Sequence, residues 1–289
     1  MFVLFPFAVG GDGRLPRRLS SGFRLYRASV VRGLDLLSND FDINQEIMVK
    51  VVAEGWPVIE VPFSYEPREN GSSKARLLKF AKSYLRTLGR MWSFRNSIQA
   101  ADYDERAASS WVLPQRAWQR GRYRIITTLA QGQGLKLDIG CGSSKILQSV
   151  EDCIGFDIAK RKLRYMAQYG KPMVEGTLFS LPFLEGSFDV VICSEVIEHV
   201  PEGLAPFIEM KRVLKPGGLL ILGTPDYSRR LWRVIESVYE RIVPGGYAVE
   251  HITHYSRDSL TDLMQEMGFQ IESESYVFGC ELILSLRKL

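Results

Sequence analysis

The chain has 289 residues, 46% of them hydrophobic, enough to bury at least one large core and to exclude a disordered or low-complexity protein. Its 37 basic residues stand against 33 acidic ones for a net charge of +4, a balance that gives no ground for a nucleic-acid partner, although much of the excess lies in the first 125 residues. Four cysteines, Cys141, Cys153, Cys193 and Cys280, show neither metal-ligand nor redox spacing and point to a reducing, cytoplasmic setting.

The apolar start, residues 1–9, lacks a basic flank, contains Pro6 and is too short to span a bilayer, so neither a secretory signal nor a transmembrane helix is expected there. A glycine- and arginine-rich stretch follows and ends in Ser21-Gly22-Phe23-Arg24-Leu25-Tyr26-Arg27. Apolar spacing then predicts a helix over 41–53, Gly55-Trp56-Pro57 breaks it, and Val58 to Phe63 reads as a short strand. Together with an acid on that helix, Glu46, and with Glu60-Val61-Pro62 followed by Arg68, Gly71 and Ser73-Lys74, these pieces resemble the carboxyl half of processive and polyprenyl-phosphate glycosyltransferases of family 2. The resemblance covers about residues 17–95. That family's amino-terminal nucleotide-binding half, with its acidic metal motif, has no counterpart before Ser21. The resemblance therefore implies a remnant without sugar-transfer activity of its own. A glycosyltransferase completed by a separate half is the alternative.

From Ser73 to Arg95, basic residues interleave with an apolar stripe at helical spacing. Such a helix either lies in the interface of an anionic membrane, its lysine and arginine stems reaching up to the headgroups, or packs on its own domain. The polyprenyl-phosphate heritage implies peripheral membrane contact through 73–95. Residues 96–122 read as a linker and an amino-terminal cap whose Tyr, Trp and Arg side chains either cover a substrate mouth or serve packing alone. The expected division is a fragment over 1–97 and a second domain over 98–289.

The centre of that second domain is Leu135-Lys136-Leu137-Asp138-Ile139-Gly140-Cys141-Gly142-Ser143-Ser144-Lys145, a buried strand leaving its sheet through a tight glycine turn into a helix. Gly140 and Gly142 let a ligand approach the main chain, and Asp138 sits where the strand opens onto a crevice. Asp157, nineteen residues further on, ends the next apolar run and is placed to hold both hydroxyls of a ribose. A dinucleotide loop would carry a third glycine where this chain has Lys145. An acid before the glycines suits instead a cofactor with a cationic amino group, such as S-adenosylmethionine.

Strand and helix patterns then alternate, which implies a doubly wound parallel sheet. A mixed-charge helix from Lys160 to Tyr169 precedes a strand at Met173-Val174-Glu175 and the run Gly176 to Phe183. Further strands are read at Ser187 to Glu195 and Leu219 to Leu222, the latter following Val213-Leu214-Lys215-Pro216-Gly217-Gly218. These ordered motifs resemble the class I S-adenosylmethionine-dependent methyltransferases over about residues 120–289, with their Rossmann-like α/β fold. The resemblance implies that Asp138, Gly140, Cys141 and Gly142 line the methionine end of the cofactor and that Asp157 takes its ribose. It implies further that Ile158 packs on adenine, Thr177 and Leu178 flank the adenine edge, and Ser194 faces the amino-acid part. Ser144 stands where the family often has a third glycine, and Thr177 where it often has aspartate.

Methyl transfer needs alignment first and a base only if the acceptor must lose a proton. All three histidines lie in this half of the chain. His199 and His251 are candidates for the base, with Glu198 and Glu250 beside them to orient the rings or bind the acceptor. No cluster with metal-ligand spacing is present in the sequence. The acceptor expected is a small molecule, a glycan or a lipid-linked saccharide; a non-catalytic cofactor-binding module is the non-enzymatic alternative.

Overall fold

The computed structural model describes residues 23–40, 42–61, 64, 77–132, 134–242 and 251–289. The helices are α1 (Ala28–Arg32), α2 (Ile43–Ala53), α3 (Leu77–Arg95), α4 (Tyr103–Ala108), α5 (Leu113–Leu129), α6 (Lys145–Ser149), α7 (Lys160–Met166), α8 (Ala205–Val213), α9 (Arg230–Ile242) and α10 (Arg257–Glu266). The strands are β1 (Lys136–Ile139), β2 (Cys153–Asp157), β3 (Met173–Glu175), β4 (Phe188–Ser194), β5 (Leu214–Pro225), β6 (Phe269–Val277) and β7 (Glu281–Lys288).

The described strands form one seven-stranded sheet in the order β3-β2-β1-β4-β5-β7-β6. Strands β1 to β5 run parallel, and β7 inserts antiparallel between β5 and β6. Parallel strands carry helices on both faces, so their residues read as unbroken apolar runs. Alternate residues feed two cores. Leu137, Ile139, Val191, Cys193, Leu220 and Leu222 pack with Phe207 and Met210 of α8 and with Leu260 and Met264 of α10. Val190, Ile192, Leu219 and Ile221 pack on the other face with Tyr123 and Ile126 of α5, Ile146 of α6 and Leu163 of α7. All four cysteines are free and buried, small apolar packing units in the sheet and its turns. The α/β, Rossmann-like reading holds, with the strand order reversing at β1 and β4, where such sheets bind ligands.

The predicted helix ending at Ala53 forms, and so does the basic amphipathic one, as α3; residues 73–76 and the 65–74 motif lie outside the described residues. On α3, Leu88 and Met91 are buried, and Thr87 donates to Asp42 at 2.6 Å, while Leu85 and Trp92 face outward. No helix among the described residues is long and apolar enough to cross a membrane. The short strand expected from Val58 does not form over 58–61, which have no regular structure. Ile59 and Val61 are exposed, and among the described residues no strand pairs with them, so the segment has neither a ladder nor a core to join.

The earlier residues dock on the sheet domain. Ala101 N–H donates to the Ala53 carbonyl at 2.7 Å, and the Arg164 guanidinium sits 3.9 Å from the centre of the Trp56 ring. Gly55 is more than a helix breaker: at φ 77° a Cβ there would stand 2.4 Å from the Arg161 carbonyl of α7. Arg95 closes the junction with a bidentate pair to Asp102, both side chains buried. Removing one partner of such a pair strands a buried charge. Asp102→Ala is expected to cost about 3–5 kcal/mol, read as a lower midpoint in urea unfolding.

Candidate functional site

Strand β1 ends at Ile139, and the chain turns through Gly140 (φ 65°), Cys141 and Gly142 (φ 53°) into α6. Both glycines are required. A Cβ on Gly140 would meet Val196 Cγ2 at 2.3 Å, and one on Gly142 would meet Asp104 Oδ2 at 2.5 Å, in a backbone region that side chains disfavour. Ser144, standing where a third glycine is often found, caps α6: its side chain accepts from Ile146 N–H at 3.3 Å.

Two carboxylates grip this turn. Asp157, at the end of β2, accepts from Gly142 N–H at 2.8 Å and from Ala159 N–H at 2.7 Å. Asp104, on α4, accepts from Ser143 N–H at 3.0 Å, from Ser143 Oγ–H at 3.1 Å and from Lys162 Nζ at 2.9 Å. Asp138 is buried, and its Oδ2 has no hydrogen-bond partner among the described residues. Burial, reinforced by the nearby Asp157 charge, pushes its carboxyl up to about 8. One strand over, Ser194 Oγ is also buried without a partner among the described residues. Both are buried polar atoms that the protein itself leaves without a partner among the described residues.

The remaining cofactor candidates divide. Ile158 is 74% exposed and Thr177 is exposed, both beside the carboxyl ends of β2 and β3, on the open flank of the loop. The side chains of Leu178 and Cys141 instead belong to the two cores, so at those positions only the main chain lines the crevice.

A second cluster grows from the end of β4. Glu195 (φ 58°) pairs with Arg122 of α5 at 3.0 Å. Arg122 also holds Glu281 at 2.5 Å, and Glu281 accepts from Trp118 Nε1 at 2.5 Å. Glu198 is fully buried; Thr224 donates to its Oε2 at 3.1 Å, and its Oε1 has no partner among the described residues. Burial pushes its carboxyl up to about 8. The Glu198 main-chain carbonyl accepts from Ile252 N–H at 2.8 Å and Thr253 N–H at 3.1 Å. That pins the 251–253 segment beside the short 3-10 helix Ile197–His199, and the His199 and His251 rings come to 4.8 Å. His251 Nδ1 meets Glu236 Oε1 at 2.7 Å and Tyr227 Oη at 2.9 Å. Trp232 stacks on His251 at 6.2 Å, and His254 stacks on Tyr227 at 4.0 Å. Glu250 lies outside the described residues.

The structure thus brings Asp138, Gly140, Gly142, Asp157 and Ser194 to one end of the sheet and joins His199 to His251. Asp104, Lys162, Arg122, Glu281, Tyr227, Trp232 and Glu236 were not legible in sequence. Their partners lie on other elements, and only the density of acids in Ser194-Glu195-Val196-Ile197-Glu198-His199 hinted at a site.

Residues 137–222 match a family model described as a methyltransferase domain. Residues 137–222 therefore carry a methyltransferase domain. The demethylmenaquinone methyltransferase of Staphylococcus aureus is 29% identical over 136 residues, 42% of this chain and 56% of that protein. A ubiquinone biosynthesis O-methyltransferase of Leptothrix cholodnii is 28% identical over 169 residues, covering 50% of this chain and 72% of that one. The chain spans a little over half the length of the first of these relatives. Among solved structures, a SAM-dependent methyltransferase of Thermotoga maritima, described as a possible histamine N-methyltransferase, superposes with a TM-score of 0.53 at 23% identity. That match covers 62% of this chain and 93% of the other and shows the shared fold.

Two outcomes follow from the loop. Gly140→Ala is expected to cost about 1–3 kcal/mol from its positive φ and its clash; adding Val196→Ala restores the steric part only, as a double-mutant cycle in urea would show. Asp138 has a folded pKa raised to about 8 against about 3.9 unfolded, so the folded state holds a proton that the unfolded state has released. Stability therefore falls as pH rises through that window and levels off above it. Asp138→Asn should remove this group's share of the slope in unfolding curves taken from pH 5 to 9, the buried Glu198 keeping its own.

Proposed function

We propose that the chain is an S-adenosylmethionine-dependent methyltransferase acting on a hydroxyl of a small amphiphilic acceptor. The observation that carries this reading is Asp157 clasped to the glycine turn beside the buried, unpartnered Asp138 oxygen. The donor set fits the cofactor: an acid on β2 for a ribose diol, an orphaned acid on β1 and an orphaned hydroxyl on Ser194 for an amino-acid group, and glycines that admit close approach. Gly140, Cys141 and Gly142 would supply main chain, while Ile158, Thr177 and Leu178 would border the adenine. When bound, the cofactor supplies an electrophilic methyl group on a sulfonium.

The protein's own work is alignment and proton removal. His199 and His251, whose rings lie 4.8 Å apart with His251 Nδ1 against Glu236, line the space in which the acceptor proton is removed. Trp232 and Tyr227 wall that space, and α9, which bears Trp232 and Glu236 on its inner side, turns Leu231, Val234 and Val238 outward between arginines. This supports an acceptor with an apolar portion, delivered from a lipid-like phase. The relatives named for menaquinone and ubiquinone biosynthesis support a ring with a lipid tail.

A lipid-linked saccharide is the second substrate class, favoured by the glycosyltransferase-like pattern over about 17–95. Sugar transfer by this chain itself finds no support at Glu46. Burial would raise the Glu46 carboxyl, but hydrogen bonds from Lys50, Ser38 and Leu37 outweigh it and hold it at about 2, which spends the acid on a turn.

The test is calorimetric titration with S-adenosylmethionine followed by transfer of labelled methyl to quinol and polyprenyl-saccharide pools. Asp157→Ala should weaken cofactor binding by about 100-fold or more, the loss of a bidentate charge-assisted contact. Because the cationic cofactor needs Asp138 ionised, binding should tighten by up to about tenfold per pH unit until pH 8, with proton release. Cofactor binding without methyl transfer to any acceptor would leave a binding module in place of an enzyme.

A further inference from the structure

We propose that Glu198, His199 and His251 form a binding site for a divalent transition-metal ion at the acceptor end of the cleft. One donor atom from each of these three side chains lies within 4.8 Å of the other two. The set is two imidazoles and one carboxylate, the ligand count of open catalytic metal sites, and its nitrogen donors favour zinc-like ions over magnesium or calcium.

Three independent features support a built site over a chance cluster. Glu198 is fully buried, yet its Oε1 has no hydrogen-bond partner among the described residues; a buried carboxylate oxygen left so is costly unless a cation meets it. Arg122 pairs instead with Glu195 and Glu281. Next, His251 Nδ1 meets the Glu236 carboxylate at 2.7 Å, with Tyr227 at 2.9 Å, the outer partnership that fixes the ring of a metal-bound histidine. Finally, the two histidines are 52 positions apart and are brought together by the Glu198 carbonyl, which holds Ile252 and Thr253. The same residue thus offers a ligand and builds the scaffold.

Donor atoms around one tetrahedral ion stand about 3.4 Å apart at zinc-like bond lengths. The widest pair here must close by little more than an ångström, within the range of χ rotations of the half-buried His199. An ion so held keeps positions open for an acceptor hydroxyl and lowers its pKa, so that the proton leaves to water while the oxygen stays bound. Metal binding rests on the cluster alone; its role in catalysis rests on the proposed methyl transfer.

The experiment uses the full chain stripped with chelator and titrated with Zn2+ by calorimetry and with Co2+ by visible absorption. One equivalent should bind with micromolar or better affinity, and cobalt should develop bands of a four- or five-coordinate site. Binding should be lost in His199→Ala, His251→Ala and Glu198→Gln, weakened by about 10–100-fold in Glu236→Gln, and kept in His254→Ala and Asp157→Ala. Thermal melts identify any variant that fails to fold, and Glu198→Gln and Glu236→Gln, being isosteric, carry the test if the alanine variants do. Absence of binding, or binding equal in all folded variants, overturns the proposal. Metal binding without cofactor binding would sink the methyltransferase reading and leave the site standing. Methyl transfer undiminished by chelator would show that the ion has no catalytic part.

Discussion

The turn after β1 holds its shape through acceptors on other elements: the Phe156 carbonyl of β2 takes the Gly140 and Cys141 N–H groups, and acidic side chains take the next two. Asp157 reaches Gly142 from β2, and Asp104 reaches Ser143 from α4. Successive amides in a left-handed glycine turn cannot bond to one another, and burying them unpaired would cost several kcal/mol. The two carboxylates meet that need and place negative charge around the crevice. Asp138 lies buried beside that charge, and burial pushes its carboxyl up to about 8.

The other half of the cleft depends on Glu198 in a comparable way. Its main chain captures the 251–253 segment, and its side chain stays inside with Thr224. Around it, Glu195, Glu281 and Glu236 add further acidic side chains, and α5 answers with Arg122, which pairs with Glu195 and Glu281. A cationic ligand gains from such a field, since low dielectric strengthens each contact.

The residues before the sheet domain are tied into it. Gly55, Trp56 and Ala53 lie against α7 and the start of α4, and the buried Arg95–Asp102 pair crosses the expected boundary near residue 97. Since α4 also carries Asp104, the packing of the amino-terminal helices bears on the shape of the glycine turn through one short helix. Coupling of that kind follows from adjacency of rigid elements, with no moving part required.

Much of the fold was legible in the chain itself. Apolar runs ending in Asp138, Asp157 and Ser194 specified parallel strands, because residues buried on both faces leave no polar alternation. Glycines at 140 and 142 specified the turn, because only they tolerate its dihedrals, and Lys145 excluded a dinucleotide. Local pattern failed where a partner was needed: Val58 to Val61 has strand-like residues but, among the described residues, nothing to pair with. What only the tertiary structure decided was the company each polar group keeps. Asp104 on the turn, Arg122 across the sheet end, and His251 against His199 are contacts over 39, 73 and 52 positions. Sequence spacing encodes the period of a helix or strand; it carries no record of which distant elements the packing of two hydrophobic cores will bring face to face.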